Sequence, residues 1–450
     1  MNAQRFLSKI MPIDGVINMD DVKNKRIGIF EYDSSMYSFI KDYAIKLVEA
    51  GYSIDIFFKD WDIRPDFAKT SEFKLYENIR FFDFTTRPTG SQIIRRRIKR
   101  LLNKMAIYFS VKLKDKPEDI IDHNILNKSK EIISQSQYLC FIGIEKKGLI
   151  WAGVLSEIYK CPFIYYSLEL YTEDNPVIYR VYHLREAEKR YHQLSIATII
   201  QDGPRANILL KSNGVEHTNV LYFPVSVRGN IIQGKSKFLQ NKFNIGDDKK
   251  ILLYFGSIEK TRFVTQIVKM AGDLDDDVIL VVHGCGPKKY LDYLQSIADK
   301  NKVIFSLDFV AEDEIENLIS SAHIGIALYK TTNSNDRLVA FSSSKMAYYT
   351  QCGVPVIAFD TESFRELVNS YECVELINTV GEIPQKVHKI LENYVTYKDQ
   401  AHAAYKRFYN LDENFSKLIS KFEQTIRVVE SASHEDASIP VNKEETPCSE

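Results

Sequence analysis

The sequence predicts an α/β protein made of two doubly wound, Rossmann-like parallel sheets that face each other across a cleft. Three observations lead there. Short apolar runs of strand length alternate with amphipathic stretches of helical spacing, the rhythm of parallel sheets covered by helices. The rhythm stops between 229 and 250 and then restarts. The length of 450 residues suits two to four domains of about 100–200 residues each.

Residues 1–24 are polar and irregular and read as a flexible lead. KRIGIFEY at 25–32 has the length and apolarity of a buried strand. Phe39, Ile40, Tyr43, Leu47 and Val48 follow at helical spacing and stop at Gly51. YSIDIFF at 52–58 closes a βαβ unit, and IRFFDF at 79–84 is a third strand. YLCFIGI at 138–144 resumes the pattern, followed by a helix over 149–159 and the strand PFIYYSLEL at 162–170. A long polar helix over 179–194 leads to ATIIQD at 197–202, a short helix, and NVLYFPV at 219–225. Residues 25–228 thus form one domain.

Segment 229–250 carries Gly229, Gly234 and Gly246 with several Lys and little periodicity, and is expected to be a linker. The second domain, expected over 251–410, has strands at 251–257, 278–284, 303–309, 324–329 and 354–359. Helices are expected at 262–271, 288–300, 315–322, 345–352 and 363–368, with three more at 380–394, 398–409 and 414–429. The last of these is expected to cross back onto the first domain. Residues 430–450 hold six acids, one Lys, Ser and Pro, the composition of a disordered tail.

The composition excludes several classes. At 45% hydrophobic and 26% charged the chain is neither largely disordered nor collagen-like. No apolar stretch approaches the roughly 20 residues of a membrane-spanning helix. The first residues lack the apolar run of a signal peptide. With 59 basic and 60 acidic residues the net charge is -1, so no nucleic-acid partner is expected from the overall charge. Cys140, Cys161, Cys285, Cys352, Cys373 and Cys448 form no C-x-x-C and no zinc-spaced cluster with His. Most lie in apolar runs, as buried thiols of a reducing compartment do. The expected location is the cytoplasm, and no metal is expected.

Ligands of open α/β sheets bind beyond the strands' carboxyl ends, so the strand-to-helix turns hold the candidate residues. The first turn of the second domain runs from Gly256 and Ser257 to Arg262. Gly256 allows close approach to the backbone. Arg262 is placed to grip a phosphate, or to sit solvated on a first helical turn. The second turn is His283-Gly284-Cys285-Gly286-Pro287. Its N–H groups suit an anion, and a plain turn explains them equally. The third is Phe341-Ser342-Ser343-Ser344-Lys345 before a helix. Lys345 opposes the helix dipole, which a phosphate at the helix start would explain. A surface Lys tolerated at small cost is the plainer account. In the first domain Glu169, Glu173 and Asp174 follow a strand, where one carboxylate is placed to orient or deprotonate an acceptor hydroxyl. Each also fits a solvated loop. Glu186 and Glu188, beside Lys189 and Arg190, read as a solvated face.

SSSKMAYYTQCGVPVIA at 342–358 resembles the signature of GT-B glycosyltransferases of the family-4 type. YFGSIEKTR, VVHGCGP and VIFSLDFVAEDEIENLISSAHIGIALY are similar to other segments of that family in order and spacing. The resemblance implies transfer of a sugar from a nucleotide-diphosphate sugar, with retention and without a metal. It implies a glycan or lipid-linked acceptor, in surface polysaccharide or glycolipid synthesis. By the same resemblance Arg262 and Lys345 hold the diphosphate. Gly256, Ser257, Gly284, Ser343 and Ser344 line the donor, and Phe309 and Val310 lie near the base. Tyr348 and Ala340 stand where the family often has two glutamates, the one at 348 gripping the ribose. Ser257 replaces a frequent Arg and His323 a usual Asp. These departures sustain a second reading, a catalytically silent GT-B subunit that binds a partner. A nucleotide-sugar epimerase of the same fold is a third.

Segment 94–114 contains eight Lys or Arg and no acid. Ile94, Ile98, Leu101, Met105 and Tyr108 form one helical stripe. With Arg95, Arg96, Arg97, Lys99 and Arg100 it is expected to rest on an anionic membrane surface, the inner face of the plasma membrane. The alternatives are that the stripe packs on the first sheet or, as a weaker reading, that it meets a calmodulin-type or nucleic-acid target.

Overall fold

The structure is a computed structural model that describes residues 26–32, 37–60, 73–85, 90–111, 120–175, 177–217 and 219–437. The expected lead at 1–24 lies outside these residues, as does the tail from 438 onward.

Two parallel sheets organise the chain. The first has seven strands: β1 (Arg26–Tyr32), β2 (Ser53–Lys59), β3 (Ile79–Asp83), β4 (Tyr138–Ile144), β5 (Phe163–Tyr166), β6 (Ala197–Ile200) and β7 (Val220–Tyr222), in the order β3-β2-β1-β4-β5-β6-β7. The second has six: β8 (Lys250–Phe255), β9 (Val278–His283), β10 (Val303–Ser306), β11 (Ile324–Ala327), β12 (Val356–Phe359) and β13 (Val374–Ile377), in the order β10-β9-β8-β11-β12-β13. Both orders reverse once, between β1 and β4 and between β8 and β11. That is the doubly wound pattern, with its ligand crevice at the reversal.

The strands are apolar along their whole length because helices cover both faces. Ile27, Ile29, Ile54, Ile56 and Ile142 are almost fully buried on one face of the first sheet, and Phe30, Phe57, Phe141 and Trp151 pack on the other. The second sheet is sandwiched in the same way, with Leu253 and Val281 on one side and Leu252 and Leu280 on the other.

The last helix, Leu411–Ala437, buries Leu411, Phe415, Leu418, Phe422 and Ile426 in the first domain's core. Tyr43 packs edge-on against Phe415, and Tyr52 against Phe422. The helix continues past Val429 into the stretch expected to be a disordered tail.

Other differences have local causes. Segment 229–250 contains the helix Phe238–Phe243, which buries Leu239 in the second core and ends at Asn244 in a left-handed conformation. One turn of helix is too short to show periodicity. The helix expected over 179–194 is broken into Ile178–Val181, a 3-10 turn at Tyr182–Leu184 and Arg185–Leu194. Glu188 on it is buried. It pairs with Lys146 and accepts a hydrogen bond from Tyr165 at 3.0 Å, so it belongs to no solvated face. The helix His123–Ile133 and strand β13 were not expected from the sequence. Cys140, Cys161, Cys352 and Cys373 are buried free thiols, and Cys285 is exposed.

Candidate active site

Two glycine turns form the floor on the side of the second domain. Gly256 follows β8 at φ +131° and Gly284 follows β9 at φ +144°. A Cβ on Gly284 would stand 1.9 Å from the Gly256 carbonyl oxygen. A Cβ on Gly256 would stand 2.7 Å from Cε of Lys345. Bare backbone at both positions lets the turns stack and lets the Lys345 side chain lie across them. The Gly284 N–H donates to the Ser306 carbonyl at 3.1 Å, so Gly284 contributes room rather than a donor.

Lys345 lies in the first turn of the helix Ser344–Gln351. Its ammonium sits 5.0 Å from the ring centre of Tyr254 and 5.1 Å from that of Tyr329. Desolvation, reinforced by the charge of Arg262, pushes its pKa down to about 7. Arg262 belongs to the 3-10 turn Lys260–Arg262 rather than to the next helix, which begins at Val264. Its guanidinium lies 4.9 Å from the Tyr329 ring centre and donates to Asp336 at 3.0 Å. Burial works against the Arg262 charge, and Asp336 holds it above its ordinary pKa. The Ser343 hydroxyl pairs with that of Tyr329 at 2.7 Å and makes no cap to the helix. The first N–H groups of Ser344–Gln351 thus lack a side-chain cap. Two cations and an uncapped helix start converge on one place, an arrangement that an anion would relieve.

The other expected donor residues are more dispersed. Ser257 is exposed, and its carbonyl accepts from the Tyr254 hydroxyl at 2.5 Å. Ser344 is half-buried. Phe309 is 82% exposed, while Val310 packs on the second core. Tyr348 is half-buried, and burial with the nearby charges of Glu312, Asp42 and Glu316 raises its pKa. Ala340 is fully buried, and its carbonyl accepts from Tyr409 at 2.9 Å. A carboxylate at 340 would have no water. His323 in place of an acid has a structural role: Nδ1 accepts from the Ile251 N–H at 3.0 Å, and burial lowers its pKa to about 3. His283 stacks on Phe255 and bonds Ser306 at 3.0 Å, within the sheet.

On the first domain's side, the three candidate carboxylates are engaged. Glu169 accepts from Asn335 of the second domain at 2.5 Å. Burial raises its pKa, against the lowering effect of Arg205. Asp174 accepts from the Ser334 N–H at 2.7 Å and from its hydroxyl at 2.8 Å. Glu173 pairs with Arg185 at 2.6 Å. Glu169 would act as a base only after releasing Asn335.

Sequence reasoning missed three residues that hold this junction. Arg205 is 1% exposed and donates to five acceptors: Gln201 Oε1, the carbonyls of Leu168, Leu338 and Asn335, and the side-chain oxygen of Asn335. Asn335 itself donates to Glu169 and accepts from the Leu170 N–H at 2.8 Å. The Asn/Ser-rich run TTNSND was its only sequence signal. Glu145, at the end of β4, takes a left-handed φ of 56°. Its carboxylate accepts from the N–H groups of Leu168 and Glu169 at 2.6 and 2.8 Å, and so fixes the loop that presents Glu169. Burial raises its pKa to about 7. A group with a raised carboxyl pKa binds a proton in the fold that the unfolded chain has lost. Wild-type stability therefore falls between about pH 4.5 and 7 from this group. Glu145→Gln removes the effect. Its urea midpoint should gain on the wild type from pH 4.5 to pH 8, and a pH-independent difference would refute the assignment.

Residues 235–407 match the family described as Glycosyl transferases group 1. No curated protein sequence matches the chain. Solved structures share the fold over almost its whole length. Sucrose-phosphate synthase from Thermosynechococcus elongatus superposes with a TM-score of 0.65 at 14% identity, covering 90% of this chain and 100% of its own. Anabaena HepE in complex with UDP-glucose superposes at 0.62 and 13% identity, covering 89% and 99%. The UDP-forming α,α-trehalose-phosphate synthase from Burkholderia vietnamiensis gives 0.57 at 9% identity, covering 90% and 100%. Together with the two sheets, these place the chain in the GT-B fold.

Proposed function

We propose that the protein is a glycosyltransferase that moves a sugar from a nucleoside-diphosphate sugar to a glycan or lipid-linked acceptor, in surface polysaccharide or glycolipid synthesis. The observation that carries this reading is the convergence of Lys345, Arg262 and the uncapped start of Ser344–Gln351 above the Gly256 turn. Supporting it are the group 1 match at 235–407 and the UDP-glucose bound by one structural relative.

In this mechanism the diphosphate lies across Gly256. Lys345 and Arg262 face its oxygens, and the helix N–H groups complete the cradle. Negative charge grows on the leaving diphosphate as the sugar–oxygen bond breaks. Fixed cations and dipoles stabilise that charge without reorganising, the dominant catalytic term in such sites. Retention at the anomeric carbon and independence from a metal are part of the proposal. Glu169, once free of Asn335, orients the acceptor hydroxyl.

The test is donor-dependent release of a nucleoside diphosphate, assayed with UDP-, GDP- and ADP-sugars. Release with one of them supports the reading. No release and no nucleotide binding would favour a silent subunit, the reading that Tyr348 and Ala340 sustain. A converted sugar nucleotide formed without acceptor would indicate an epimerase.

The helix Gly90–Tyr108 is proposed to rest on an anionic membrane at the cytoplasmic face. Arg95, Arg97 and Arg100 are exposed and Lys99 is half-exposed; Arg96 lies on the same helix. Among the described residues no helix is long and apolar enough to cross a membrane. At about 1 kcal/mol per basic residue, changing all five to Ser should weaken binding to phosphatidylglycerol vesicles more than about a thousandfold. Unchanged sedimentation with vesicles would refute the docking.

A further inference from the structure

The helix Gly90–Tyr108 is turned inside out relative to an ordinary surface helix. Its apolar stripe faces solvent: Ile94 is 59% exposed, Leu101 60% and Tyr108 82%. Among its described side chains the buried ones are Asn103 and Ala106, and Asn103 bonds His183 at 3.0 Å. The stripe therefore does not pack on the first sheet.

The end of this helix walls a cavity of about 480 Å³ with Ile107 and Ser110. The opposite wall is the broken helix, through Ile178 and Tyr182. The remaining lining is charged: Glu173, Arg185, Glu186 and Lys189. Glu173 and Arg185 pair with each other, whereas Glu186 and Lys189 join no ion pair among the described residues. The volume falls within the roughly 300–1,000 Å³ of small-molecule sites. Two acids and two bases give the cavity no net charge, so it does not favour a bare anion. Carboxylates that accept from hydroxyls, an ammonium that donates to them and an aromatic ring that covers C–H faces are the groups a saccharide uses. The site adjoins the domain junction, because Asp174, next to Glu173, bonds Ser334 of the second domain.

We infer that this cavity binds the saccharide headgroup of a glycolipid whose chains remain in the bilayer under the exposed stripe. Apolar chains alongside Ile98, Leu101 and Met105 would lead a headgroup past Tyr108 to Ile107 and Ser110. Naming the site as the acceptor's rests on the glycosyltransferase reading; the binding itself does not.

The experiment compares phosphatidylglycerol vesicles with and without a minor fraction of monoglucosyl diacylglycerol, by co-sedimentation of the full chain. The expected result is several-fold tighter binding to the glycolipid vesicles. Glu186→Gln with Tyr182→Ala should abolish that gain and leave binding to plain vesicles unchanged; circular dichroism checks that the variant is folded. Competition by methyl glucoside at equal sugar concentration would point to a soluble saccharide and overturn the lipid assignment. Equal binding to both vesicles, or a gain that survives in the variant, would also overturn it. A gain without any nucleoside diphosphate release would keep the site and remove the enzyme reading.

Discussion

Lys345→Ala is expected to lower kcat/KM for the sugar donor by about 10²–10³-fold, the usual effect of removing one preorganised group that faces growing negative charge. The same variant should lose the thermal shift that a nucleoside diphosphate gives the wild type. A diphosphate that stabilises both proteins equally would show that the site lies elsewhere. The pH dependence is a second check. Desolvation and Arg262 bring the free Lys345 to about pKa 7. Donor affinity should therefore fall as pH rises past 7 and the ammonium is lost. Stability runs the opposite way. A Lys with a lowered pKa binds fewer protons in the fold than in the unfolded chain between about pH 7 and 10.5, so its penalty is present below that window and fades as pH rises through it. Lys345→Met should therefore be no less stable than the wild type at pH 7 without ligand, while losing the donor. A variant that is both unfolded and inactive would mark Lys345 as structural instead.

Arg205→Ala should have the largest effect on stability. The guanidinium is buried and satisfies five acceptors drawn from both domains. Glu169 and Asp202 lie in its field. Removing it leaves carbonyls without donors and nearby carboxylates without their counter-charge, a loss of about 3–5 kcal/mol for a broken buried network. Arg205→Lys keeps the charge but not the planar fork, and should recover only part of the loss. Urea midpoints followed by tyrosine and tryptophan fluorescence measure both. A midpoint within error of the wild type for Arg205→Ala would show that the junction opens without cost.

Legibility from sequence followed the range of the interaction. Strands such as 138–144 and the turns at Gly256 and Gly284 were readable, because apolar runs and glycines report on backbone that is buried or unusually bent. The resemblance at 342–358 to GT-B glycosyltransferases was readable, because that run is contiguous and lies within the segment that matches a glycosyltransferase family. Two short elements escaped. Strand β13 has only four residues, and the helix Phe238–Phe243 has no second turn to reveal a period. Glu188 was misread because its spacing beside Lys189 and Arg190 suits an exposed face, while its true partner, Lys146, lies in another helix.

The amino-acid sequence by itself determined the two alternating α/β halves, the positions of the glycine turns, and Lys345 at a helix start. Each depends on neighbours within one or two turns of chain. Only the tertiary structure decided that Arg262 and Lys345 share the ring of Tyr329, and that Glu169 is held by Asn335. It also decided that the basic helix turns its apolar stripe outward. The physical reason is common to all three. Charges and apolar faces acquire their roles from burial and from partners far away in the chain, and neither burial nor a distant partner is written in local spacing.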